Sequence, residues 1–181
     1  MRIALIGMPG SGKTTLGKAL AQRLDSVFID LDQQIESRLE CSIRLFFEHK
    51  GEAAFREIET QTLEQLTQPA PMTPSDQPTM PGTEILATGG GCVLHARNRA
   101  VLRERCYVIY LDTPLDLLIR RLRQDKVRPL LAVDDPVERL RSLYETRDPL
   151  YRGLAHHIVR NDAGLTSRVL RQLVEEISRQ F

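Results

Sequence analysis

Residues 7–14 read Gly7-Met8-Pro9-Gly10-Ser11-Gly12-Lys13-Thr14, between an apolar run, Ile3-Ala4-Leu5-Ile6, and an amphipathic stretch, Lys13 to Leu24. A strand that turns through glycines straight into a helix commits the start of the chain to a βα unit. The spacing G-x-x-x-x-G-K-[ST] commits the turn to phosphate. Small residues let backbone N–H groups converge on phosphate oxygens, and the helix N-terminus adds its positive dipole end. Lys13 would reach the β/γ-phosphates and the Thr14 hydroxyl would ligate Mg²⁺. The bland alternative is a glycine turn with a chance lysine, but the order strand, loop, helix is the context the phosphate reading requires.

The rest of the chain repeats the alternation. Apolar runs at Arg2 to Ile6, Val27 to Asp30, Glu84 to Thr88, Cys106 to Leu111 and His156 to Val159 give five strand candidates. Helical stretches fall at Lys13 to Leu24, Asp32 to Leu39, Ile43 to Phe47, Glu52 to Leu66, Ala96 to Arg105, Pro114 to Arg123, Pro136 to Tyr144 and Ser167 to Gln180. Thr113-Pro114 and Asp135-Pro136 each put a capping side chain before a proline at the first helical position. Short strands separated by helices predict a three-layer α/β/α fold around a parallel sheet. One segment breaks the pattern: residues 67–83 hold five of the ten prolines and a single charge, Asp76. That composition excludes helix interior and central strand, and it reads as a connection inside one domain spanning residues 1–181.

Charge narrows the function classes. Lys and Arg total 25 against 24 Asp and Glu, so the net charge of +1 supplies no field for nucleic acid or an anionic membrane. No run approaches the length of a membrane span, and the apolar N-terminal run is too short for a secretory signal. Cys41, Cys92 and Cys106 are scattered, with no zinc-like or disulfide spacing. A cytoplasmic protein working on small molecules is expected.

Four further groups could select what the phosphate is passed to. Asp30 and Asp32 close the second strand at i and i+2. One could support Mg²⁺ through water while the other accepts a hydrogen bond from an alcohol; capping of the next helix by Asp32 is the alternative. Arg56 and Glu59 are i, i+3 helix neighbours, suited to fix a guanidinium for a carboxylate or to form an ordinary surface pair. Gly89-Gly90-Gly91 ends the third strand, either as a close backbone approach to a ligand or as a plain turn. Last, the polar stretch 124–135 lies between two helices and carries Lys126 and Arg128. It reads as a lid whose Arg128 would neutralise charge during phosphoryl transfer, with a solvated basic face as the alternative. Arg147 follows, just beyond the next predicted helix. The four histidines show no metal-ligand spacing.

In combination these residues resemble the shikimate kinases, small P-loop kinases of the nucleoside monophosphate kinase structural group. The resemblance rests on G-x-x-G-x-G-K-[ST] at 7–14, D-x-D at 30–32, F-R-x-x-E at 55–59, G-G-G at 89–91, R-P-L-L at 128–131 and R-x-P-L-Y at 147–151. It implies a five-stranded parallel sheet in the order 2-3-1-4-5 and transfer of phosphate from ATP to the 3-hydroxyl of shikimate by a monomer. It further implies ATP contacts from Gly10, Ser11, Gly12, Lys13, Thr14, Thr15, Arg121, Arg128 and the turn at 161–164 with Gly164. Mg²⁺ would sit on Thr14 directly and on Asp30 through water. Shikimate would be held by Asp32, which would act as the base, with Arg56, Gly90 and Arg147, in a pocket shaped by Phe47 and Phe55. Lys13 and Arg128 would carry transition-state charge. The proline-rich connection is longer than the family usually has. Another small-metabolite kinase, such as a gluconate or nucleotide kinase, and a non-catalytic nucleotide-binding module are the competing readings.

Overall fold

The computed structural model describes residues 1–68, 83–124, 135–162 and 167–180. In chain order the elements are β1 (Arg2–Ile6), α1 (Lys13–Arg23), β2 (Val27–Asp30), α2 (Leu31–Leu39), α3 (Ile43–Thr67), β3 (Glu84–Ala87), a 3-10 turn (Cys92–Leu94), α4 (Ala96–Arg105), β4 (Tyr107–Asp112), α5 (Leu115–Gln124), α6 (Pro136–Leu154), β5 (His157–Arg160) and α7 (Ser167–Gln180). The proline-rich residues 69–82, residues 125–134 of the expected lid with Arg128, and Gly164 lie outside the described residues.

All strand pairs are parallel and the order is β2-β3-β1-β4-β5, as the resemblance implies. Alternation along the central strands sends side chains to two cores. From β1, Ala4 and Ile6 face one layer, while Ile3 and Leu5 face the other; β4 splits Val108 and Tyr110 from Ile109 and Leu111 in the same way. The first layer packs against Leu31 and Ile35 of α2, Phe55 and Leu63 of α3, Leu118 of α5 and Leu140, Leu143, Tyr151 and Leu154 of α6. The second packs against Leu16, Leu20 and Ala21 of α1 and Leu173 and Ile177 of α7. Because the chain leaves β1 toward β2 and β3 on one side and later crosses to β4 on the other, the order reverses at β1. Open α/β sheets bind ligands at the carboxyl ends of strands at such a point. The loop at 7–12 begins there.

The separate helices read at 43–47 and 52–66 stand as two helical pieces of α3, broken at Gly51, whose φ 79° and ψ 172° are not helical. One helix differs from the sequence reading: α6 does not stop at Tyr144 but runs on to Leu154 with Pro149 inside it. A proline removes one ladder bond and crowds the turn before it. The helix persists because Leu140, Leu143, Arg147, Tyr151 and Leu154, spaced at helical period, are all buried. Arg147 therefore belongs to the helix and not to a segment after it. Asp135 caps α6 as expected, accepting from the N–H groups of Val137 and Glu138. The Thr113 hydroxyl, the other predicted cap, donates to the Ser11 carbonyl at 3.4 Å.

Candidate active site

The loop after β1 is held by its own carbonyls. Lys13 Nζ donates to Gly7 O at 2.9 Å and Met8 O at 3.0 Å, folding the lysine across the loop. Arg121 of α5 donates to Gly10 O at 3.0 Å and Ser11 O at 3.2 Å. Asn161, just after β5, donates to Ser11 O at 2.8 Å. A trans peptide points its N–H opposite to its C=O, so gripping Ser11 O from this side turns the Gly12 N–H the other way. The Leu16 N–H bonds Gly12 O at 2.9 Å, closing the first turn of α1. The N–H groups of Lys13, Thr14 and Thr15 lie in that first turn, where an anion is favoured.

Beside this loop, the Thr14 hydroxyl donates to Asp30 Oδ2 at 2.9 Å. The other Asp30 oxygen accepts from Asp32 N at 3.1 Å and Gln33 N at 3.4 Å, so Asp30, not Asp32, caps α2. Asp32 is left with its carboxyl in the cleft. Burial, and then the neighbouring Asp30 charge, push its pKa above the usual aspartate value, against the pull of Lys13 and Arg56.

The third group is more than a surface pair. Arg56 donates to Glu59 at 2.9 Å and to Glu52 at 2.9 Å, and Glu59 is 1% exposed. Burial raises the Glu59 pKa as well, with the Arg56 charge opposing it. The rings of Phe47 and Phe55 meet at 4.7 Å beside the guanidinium. The glycine run makes this crowding possible: a Cβ on Gly89 would lie 2.6 Å from Asp32 Oδ1, one on Gly90 2.7 Å from the Pro9 ring, and one on Gly91 2.5 Å from Arg56. The run is both predicted things at once, a close approach and a turn, since Gly91 opens the 3-10 turn. Cys92 N–H bonds Gly89 O at 3.2 Å, which aims the Gly90 N–H of that trans peptide away from the turn. The Tyr151 hydroxyl donates to Gly90 O at 2.5 Å. Arg147, 9% exposed, has a buried Nε with no hydrogen-bond partner among the described residues.

One cleft of about 1320 Å³ joins these regions, lined among others by Gly10, Lys13, Thr14, Asp32, Arg56 and Arg147. Single-ligand pockets run to about 300–1,000 Å³, so there is room for two small molecules. A family model described as Shikimate kinase matches residues 9–178. The chain belongs to the shikimate kinase family. It is 44% identical over 181 residues to the shikimate kinase of Paracidovorax citrulli, covering 100% of this chain and 92% of that one. With the shikimate kinase of Acinetobacter baylyi the identity is 42%, over 97% of this chain and 91% of that one. Among solved structures, a shikimate kinase from Acinetobacter baumannii in complex with shikimate superposes with a TM-score of 0.86 at 38% identity, covering 99% and 93% of the two chains. The shikimate kinase from Aquifex aeolicus gives 0.78 at 27%, covering 99% and 98%.

Of the residues read from the sequence in terms of the shikimate kinase family, the structure brings Gly10 to Thr15, Asp30, Asp32, Arg56, Gly90, Arg121 and Arg147 to this cleft. Sequence reading missed the bracket formed by Asn161, the clamp from Tyr151 to Gly90, and a stripe on α6. Arg139 and Leu143 also line the cleft, at i−8 and i−4 from Arg147. That spacing was a readable signal once α6 is taken as one helix.

Proposed function

We propose that the protein transfers the γ-phosphoryl group of ATP to the 3-hydroxyl of shikimate, giving shikimate 3-phosphate and ADP. The observation that carries this reading is the buried Arg147 in the same cleft as a phosphate loop, its Nε without a hydrogen-bond partner among the described residues. A planar cationic fork that lines a cleft and keeps hydrogen-bonding capacity in reserve suits a ligand carboxylate. A gluconate also has a carboxylate, but the full-length family likeness favours shikimate.

On this reading the N–H groups of residues 12–15 cradle the ATP phosphates, and Lys13 turns from Gly7 O and Met8 O to the β/γ oxygens. Thr14 and Asp30 offer hard oxygen donors 2.9 Å apart, which fits Mg²⁺ held by few protein ligands and the phosphates. When bound, that ion supplies charge neutralisation on the phosphates. Arg56, the Gly90 N–H and Arg147 hold the acceptor, with Glu52 and Glu59 fixing the Arg56 fork. Asp32, its pKa raised by burial and the Asp30 charge, accepts the hydroxyl proton as the oxygen attacks in line. Arg121 and Gly164 would serve the purine side, and Arg128 the developing charge on the transferred group. Residues 1–181 would act as one kinase domain, a monomer in the cytoplasm, which size-exclusion chromatography with light scattering and cell fractionation would check. A coupled ADP-release assay with Mg·ATP and a panel of shikimate, gluconate and nucleoside monophosphates tests the reaction. Turnover with shikimate is expected, and none with shikimate alongside turnover with another acceptor would replace the reading.

A further inference from the structure

Arg147 occupies the weakest turn of α6. Pro149 has no N–H to give to the Glu145 carbonyl, so the ladder loses a bond in the turn that carries Arg147. Around that gap the side chains form a second set of ties. Asp148 accepts from the Tyr110 hydroxyl at 2.8 Å and from Arg152 Nε at 2.8 Å. Arg152 Nη2 in turn donates to Asp112 at 2.8 Å. Tyr110 and Asp112 are i and i+2 on β4, and Asp148 and Arg152 are i and i+4 on α6, so the pair spans the proline and anchors it to one strand face. The Arg152 guanidinium also lies 5.6 Å from the Tyr110 ring centre, and Tyr110 stacks on Tyr151 at 5.0 Å. The carboxylate of Asp112 is almost wholly buried, which favours an ordered pair over a fluctuating one. None of Tyr110, Asp112, Asp148 and Arg152 lines the cleft.

We propose that Asp148 and Arg152 are positioning residues that brace α6 across Pro149 against β4 and so aim Arg147 at the acceptor. The proposal rests on Arg147 binding the acceptor, as argued above. Steady-state kinetics on D148N, R152M and R152K, alone and in an R147A background, test it. D148N and R152M should raise the acceptor KM about tenfold, the loss of one charge-assisted hydrogen bond, while kcat and the ATP KM change less than about twofold. R152K, which keeps the charge, should recover part of the loss. In the R147A background D148N should add almost nothing, because the group it positions is gone. Full multiplication of the two effects, a parallel rise in both KM values, or no effect of D148N would overturn the bracing role. An R147A variant with normal acceptor KM would overturn the acceptor assignment and the bracing role together, whereas an effective R147A with a silent D148N overturns only the latter. Should D148N fail to fold, Y110F removes a single hydroxyl from the same brace, and an acceptor KM raised about two- to threefold is expected, with no change counting against it.

Discussion

The two ends of the cleft are stabilised in opposite ways. At the phosphate loop, cations and amides are spent on the loop's own carbonyls: Lys13 on Gly7 and Met8, Arg121 on Gly10 and Ser11, Asn161 on Ser11. At the acceptor end, Asp32 and Glu59 carry pKa values raised by burial, and Arg147 Nε has no hydrogen-bond partner among the described residues. The first end is a shape held ready without its ligand. The second is electrostatically unsatisfied and is completed by what binds it, so binding strength there comes from relieving a frustration built into the fold.

The largest expected effect comes from removing the frustrated carboxylate. D32N should lower kcat by about 10²-fold or more if Asp32 is the base, with the ATP KM nearly intact. The same change should make the protein more stable. With a raised pKa, the folded state holds a proton that the unfolded state releases in the window above the ordinary aspartate value. The Asp32 contribution to stability therefore falls as pH rises through that window and is least favourable at neutral pH. A loss of activity joined to a rise of a few degrees in melting temperature is expected by calorimetry, and a drop in melting temperature would break the comparison. In the wild type, kcat/KM for the acceptor should fall as pH drops through the raised Asp32 value.

R147A should raise the acceptor KM about 10- to 100-fold, the worth of a charged hydrogen bond, leaving the ATP KM alone. Alanine at the glycine run divides the two ends more finely. G91A drives a Cβ into the Arg56 guanidinium and should weaken the acceptor alone, while G90A meets the Pro9 ring of the phosphate loop and should raise both KM values. Equal behaviour of the two variants would show that the ends are not separable. The smallest effect is expected from N161A, which removes the shortest of the side-chain bonds to Ser11 O while Arg121 and Thr113 remain, and should raise the ATP KM about two- to tenfold with the acceptor KM unchanged.

The strands and the phosphate loop were legible because both are local. A glycine loop after an apolar run and a helical period after it are contiguous in sequence, and the family resemblance supplied the order of strands. The Asn161 bracket was not legible, since it reaches Ser11 across 150 residues and an asparagine after a strand reads as a turn. Which aspartate caps α2 was undecidable from i, i+2 spacing alone; the extended backbone of Asp30 settles it, with φ −107° and ψ 117° at the cap. The extent of α6 was misread because Pro149 is a strong stop signal locally, and burial of five residues on one face outweighs it. The Arg56 and Glu59 pair was visible as spacing, whereas its burial depended on where α3 packs.

The glycine run and the 3-10 turn behind it also give the acceptor end a built-in chemical clock. Cys92, fully buried at the start of that turn, has its thiol pKa pushed well up by burial, so almost no thiolate forms and no reagent reaches it in the closed protein. Cys41 is only partly covered and marks the rate of ordinary surface alkylation. Modification of Cys92, followed by mass spectrometry relative to Cys41, thus counts the moments when the turn at 92–94 opens under native conditions.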